Sequence, residues 1–70
     1  MHQIKNFFLN NEHYVTEDKI TLLDLISYFD YNESLLVLEY NQVIFDKNHW
    51  KTTFVQDQDE IEIVTIVGGG

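Results

Sequence analysis

The residues best placed to do chemistry are three consecutive glycines. Gly68, Gly69 and Gly70 are the only glycines in the 70 residues of the chain. Lacking Cβ atoms, they form a thin extension of roughly 10 Å, at about 3.3–3.6 Å per residue, that fits a channel closed to any side chain. The reactive group it presents is the α-carboxylate of Gly70. A resting carboxylate is a poor electrophile, but on such a stalk it suits activation as an acyl-adenylate and transfer to sulfur or nitrogen. On the tail alone, a frayed terminus or a cloning scar stays open as the alternative.

Other candidates are weaker. His2, His13 and His49 show no i, i+4 pairing and have no cysteine partner, so no zinc spacing exists. The carboxylates of Asp57, Asp59 and Glu60 alternate as in a calcium loop. They lack the glycine turn and the distant bidentate glutamate, so a solvated turn is expected there and no metal site. Ser27 and Ser34 have no neighbouring histidine with an orienting acid, and no glycine loop cradles phosphate. Trp50 reads as a lid on the core. The body of the chain offers no convincing seat for catalysis.

Composition narrows the partners. Four lysines and no arginine stand against 12 acidic residues, a formal charge of −8. Without arginine there is no bidentate grip on phosphate, and the overall field repels polyanions, so nucleic acid and anionic membranes are poor partners. A basic protein surface is favoured, since opposite fields speed encounter. The absence of cysteine excludes disulfides, Cys₄ zinc sites and thiol nucleophiles. No apolar run approaches the ~18 residues of a membrane span. The opening Met1-His2-Gln3-Ile4-Lys5 does not resemble a signal peptide, so a soluble, intracellular chain is expected.

The elements that must present the tail follow from periodicity. Ile4 to Leu9 and His13 to Thr16 read as a hairpin about Asn10-Asn11, with Phe7 and Leu9 facing inward. Leu22, Leu25, Ile26 and Phe29 fall at i, i+3, i+4 and i+7, a helical stripe, with Thr21 and Asp24 placed as a capping box. Leu35 to Tyr40 reads as the most buried strand, returning through Asn41-Gln42 to Val43-Ile44-Phe45. Asp46 to Thr53 reads as a helical turn or loop across the sheet, and Ile61 to Val67 as the last strand. The order is two strands, one helix, three strands: an α+β domain over residues 1–67 and a glycine tail over 68–70. Val64, Ile66 and Val67 exceed what a one-faced strand needs, and are expected either to dock a partner with the exposed sheet face or to complete the core.

These residues together resemble the thiamine-pathway sulfur carrier family, small ubiquitin-like proteins ending in Gly-Gly. Thr21 with the helix stripe, Val37 to Ile44 with Asn41 in the turn, Trp50 followed by Phe54 to Val64, and the ending Val67 to Gly70 carry the likeness. The chain departs from the family's habits at Asp46-Lys47, where a Pro-basic pair is frequent, and at Gln58, where glycine is common. The resemblance implies a β-grasp fold, a mixed sheet of about five strands on one helix. It also implies that an E1-like adenylyltransferase adenylates Gly70, that the product becomes a thiocarboxylate, and that thiazole synthase receives the sulfur. Gly68 and Gly69 would thread into the partner. The chain would be a consumed-and-regenerated cosubstrate and not itself an enzyme; no cofactor would be bound, and ATP and magnesium would belong to the activating enzyme. Two alternatives stay open: a related carrier serving molybdopterin synthesis or protein modification, and a β-grasp interaction module with an inert tail. The lack of arginine and proline, with abundant asparagine and isoleucine, suits an AT-rich genome, hence the cytoplasm or a plastid stroma.

Overall fold

A computed structural model of the chain describes residues 3–66. Five strands, β1 (Lys5–Leu9), β2 (Glu12–Thr16), β3 (Leu36–Tyr40), β4 (Val43–Ile44) and β5 (Glu60–Thr65), accompany one helix, α1 (Leu22–Tyr28). They form a mixed sheet in the order β2-β1-β5-β3-β4. The two hairpins flank β5, which runs parallel to β1 and antiparallel to β3. This is the β-grasp arrangement that the resemblance implies.

Both hairpins close through two residues with positive φ, Asn10 and Asn11 (50° and 67°) and Asn41 and Gln42 (51° and 71°). Such turns match the twist of the strands they join, and asparagine tolerates the left-handed region better than most residues. The asparagines also serve β5. Asn10 donates its N–H to the Ile61 carbonyl and accepts the Ile63 N–H on Oδ1, while Asn41 brackets Glu60 in the same manner.

Helix α1 begins with the expected capping box: Thr21 Oγ1 accepts the Asp24 N–H at 3.1 Å, and Asp24 Oδ2 accepts the Thr21 N–H at 2.9 Å. Two more free amides, Leu22 and Leu23, donate to the carbonyls of Thr53 and Trp50, so the loop crossing from β4 satisfies the helix start. At the other end Asp30 is left-handed (φ 59°), and the Asp30 and Tyr31 amides bond back to Ser27 and Ile26. That is the Schellman ending, built here on aspartate in place of the usual glycine.

The core lies between α1 and the inner sheet face. Leu22, Leu25 and Ile26 of the helix meet Phe7, Leu9, Leu36, Leu38, Ile61 and Ile63 of the strands, with Val55 and Trp50 closing the open side. Trp50 is only 2% exposed, and its indole N–H donates to the Phe45 carbonyl, which makes it the lid expected of it. Three expectations need correction. Leu35 is exposed and ends a 3₁₀ turn (Glu33–Leu35), because the Asn32 side chain caps that turn and postpones β3 to Leu36. Strand β5 ends at Thr65, before Ile66. Asp59, read as part of a solvated turn, is buried.

Candidate functional site

The geometry that bears on function is built around β5. Alternation puts Ile61 and Ile63 into the core and turns Glu60, Glu62 and Val64 to the outer face, away from the helix. Register then decides their neighbours. Val64 lies opposite Val37, Glu62 opposite Glu39, and Glu39 opposite Ile44; Phe8 pairs with Glu60 on the β1 side. The outer face therefore has an apolar end, Val37 and Val64, and an acidic middle, Glu39, Glu60 and Glu62.

Val64 is 52% exposed and Ile66 51% exposed, so neither completes the core. Ile66 follows β5 and is held there by its amide, which donates to the Leu35 carbonyl at 2.7 Å. Two of the three expected docking residues are thus exposed. Val67, Gly68, Gly69 and Gly70 lie outside the described residues.

The acidic middle borders an open hollow of about 550 Å³ lined by Phe8, Asn11, Glu39, Gln42, Glu60 and Glu62. Like charges directly opposite each other in a sheet are unfavourable, and Glu39 faces Glu62 in that way. The ion pair formed among the described residues, Lys47 with Glu33 at 3.5 Å, uses neither. A basic group placed beside them would relieve this repulsion. The parity of Glu60, Glu62 and Val64 carries half of this arrangement in the sequence. The other half, Glu39 and Val37 alongside, needs the strand register.

Elsewhere the chemistry-bearing residues are occupied structurally. Asp59 accepts from the Tyr40 hydroxyl, from Asn41 Nδ2 at 3.1 Å and from the Gln56 amide. Burial, together with the Asp59 hydrogen bond, raises the Tyr40 phenol well above its ordinary pKa. Asp57 faces another way and accepts the Asn6 N–H at 2.7 Å, which lowers its pKa. The two aspartates are thus drawn to different donors and do not converge. Among the described residues, no group of three or more potential ligands is placed to hold a metal. His13 bonds Asn6 Oδ1 at 2.9 Å, and Ser34 Oγ donates to Asn32 Oδ1 at 2.7 Å. No helix among the described residues is long and apolar enough to cross a membrane.

Comparison with known proteins agrees with this architecture. The model of the ThiS family matches residues 3–70. The uncharacterized protein ycf40 of Trieres chinensis is 54% identical over 66 residues, covering 94% of this chain and 90% of its own. The sulfur carrier protein ThiS of Bacillus subtilis is 33% identical over 54 residues, 77% of this chain and 82% of its own. The crystal structure of the thiamine biosynthesis protein ThiS from Geobacter metallireducens superposes with a TM-score of 0.77 at 20% identity. It covers 93% of this chain and 99% of that one, a likeness of fold.

Proposed function

Because the chain belongs to the ThiS family of ubiquitin-like sulfur carriers, we propose that it carries the sulfur destined for the thiazole ring of thiamine. The Gly70 carboxylate attacks the α-phosphorus of MgATP on an E1-like adenylyltransferase, and pyrophosphate leaves. The resulting mixed anhydride has AMP as a good leaving group. A sulfur nucleophile held by the activating system displaces AMP, and the tail becomes a thiocarboxylate. Thiazole synthase then takes the sulfur and the carboxylate is regenerated. In this scheme the chain is a recycled cosubstrate, and ATP and magnesium are bound by its partner. Its place of work is the cytoplasm, or the stroma for a plastid-encoded chain.

The observation that carries the reading is that the family match extends through residue 70 and so includes the three glycines. The exposed Val64 and Ile66 support it, since they offer an apolar hold immediately before Gly68 and Gly69, which thread into the partner with no side chain to block them. Intact mass spectrometry of the protein from cells that possess the sulfur-transfer enzymes tests the proposal. Replacement of oxygen by sulfur adds about 16 Da, and thiazole synthase is expected to consume that species. An unchanged mass, or a thiocarboxylate passed only to a molybdopterin synthase, would overturn it.

A further inference from the structure

A groove between β2 and α1 lies apart from the outer sheet face and combines an open strand edge with an apolar floor. Strand β2 is an edge of the sheet, with β1 on one side and nothing on the other. Its hairpin closes at Leu9–Glu12 around a two-residue turn, so the pairs that exchange backbone bonds are Leu9–Glu12, Phe7–Tyr14 and Lys5–Thr16. The N–H and C=O groups of His13 and Val15 therefore point to the open edge. Among the described residues no other backbone or side-chain group bonds to them. Natural sheets blunt such edges with charge, proline or a bulge; β2 has no lysine, proline or bulge, and its one acidic residue, Glu12, sits at the turn end, away from the open groups of His13 and Val15.

Beside this edge lies an apolar groove of about 390 Å³, floored by Tyr14, Ile20, Leu25, Tyr28 and Phe29. Its aromatic rings form a continuous row from core to surface. Phe7 stacks on Tyr14 at 5.8 Å, Tyr14 meets Phe29 edge-on at 5.2 Å, and Phe29 meets Tyr28 at 5.1 Å. Tyr28 is 82% exposed although it sits on a helix that packs the core. The groove lies on the helix side of the sheet, where every second side chain of a strand added to β2 must point. Asp18 and Asp24 line the same groove, and Glu12 accepts from the hydroxyl of its Tyr14 at 3.0 Å.

We propose that this groove binds an extended peptide segment of a partner protein by strand addition, with apolar residues at alternate positions and lysine or arginine at its flanks. The open backbone row supplies main-chain hydrogen bonds, the aromatic floor takes the alternate apolar side chains, and the carboxylates select the basic flanks. A second copy of this chain is disfavoured as occupant, because each copy carries a charge of −8 and brings the same acidic rim.

The test is an NMR titration of the whole protein with the blocked peptide Lys-Thr-Val-Thr-Val-Thr-Lys, whose lysines and valines share one face, and with its glutamate-flanked counterpart. The expected result is hydrogen-exchange protection of the His13 and Val15 amides, with shifts confined to β2 and α1. The glutamate-flanked peptide is expected to bind about tenfold more weakly at low salt. Tyr28→Ala, at an exposed position, weakens binding without unfolding the protein. Val15→Pro, which removes an outward amide at an edge where proline is tolerated, abolishes it. Shifts on the outer sheet face, equal binding of both peptides, or no binding would overturn the proposal. Protection of His13 and Val15 that grows with protein concentration alone would also overturn it, in favour of self-pairing.

Discussion

The side chain of Asn10 accepts the backbone N–H of Ile63 at 2.7 Å, across 53 positions of sequence. The parallel pairing of β1 with β5 covers only Phe8 with Glu60 and Leu9 with Ile61. A carboxamide on a turn thus continues a strand ladder that the backbone has already left. The residue does two jobs, adopting a left-handed conformation and tying the last strand to the first.

The two jobs separate by mutation. Asn10→Gly keeps the turn and leaves the Ile63 amide unpaired, which is expected to cost about 1–2 kcal/mol of unfolding free energy. Asn10→Ala adds the strain of a Cβ at φ 50°, about 1 kcal/mol more. Urea denaturation measures both, and a glycine variant as stable as the parent would show that the carboxamide bond contributes nothing.

Tyr40 and Asp59 make stability fall at alkaline pH. The folded-state pKa of Tyr40 is raised above its unfolded value of about 10, so its contribution is complete below that pH and is lost as the pH climbs toward the folded value. Asp57 acts at the opposite end. Its lowered pKa, set first by the Asn6 amide, gives stability that is present above about pH 3.9 and lost on acidification. Stability profiles of Tyr40→Phe and Asp57→Asn are expected to be shallower than the parent's on the alkaline and the acid side respectively, with Tyr14, also raised, keeping part of the alkaline slope. Profiles parallel to the parent's would refute the assignment.

Gln58 occupies φ 69° at the position where the family commonly has glycine. Relief of left-handed strain, about 1–2 kcal/mol, outweighs the extra chain entropy of glycine, about 0.5–1 kcal/mol. Gln58→Gly is therefore expected to raise the unfolding free energy by about 0.5–1 kcal/mol. A lower melting temperature for this variant would contradict that balance.

Val64→Asp and Gly70→Ala test the two parts of the carrier function. Val64 is half exposed and absent from the core cluster but pairs across the ladder with Val37, so its replacement by aspartate is expected to cost about 1 kcal/mol and leave the protein folded. With the purified activating enzyme, Val64→Asp is expected to raise the KM for ATP–pyrophosphate exchange about tenfold. Gly70→Ala is expected to abolish exchange while leaving the melting temperature unchanged. Undiminished exchange in either variant would remove the corresponding residue from the site.

The helix stripe and its cap are legible in the sequence because they are local: Leu22, Leu25, Ile26 and Phe29 repeat at the helical period, and Thr21 and Asp24 are three residues apart. The hairpins are legible for the same reason, since each asparagine turn stands between its own strands. Asp59 is not. Within Gln56-Asp57-Gln58-Asp59 it looks like any exposed acid, and its partners Tyr40 and Asn41 lie 19 and 18 positions away. The opposition of Glu39 and Glu62 is hidden in the same way, because register is a property of two distant strands. Leu35 misleads for a local reason, an apolar residue placed by the Asn32 cap in a turn where it cannot pack.

Strand β5 is held by β3 from Ile61 to Thr65, and on its other side by β1 at Glu60 and Ile61 and by the Asn10 side chain at Ile63. Tension applied along β5 from Thr65 therefore loads its rungs in shear, straining many hydrogen bonds at once, where an edge strand pulled sideways would surrender them one at a time. The fold is built as a tow-bar: a pull on the C-terminal end of β5 is borne by the ladder as a whole and does not unzip the sheet.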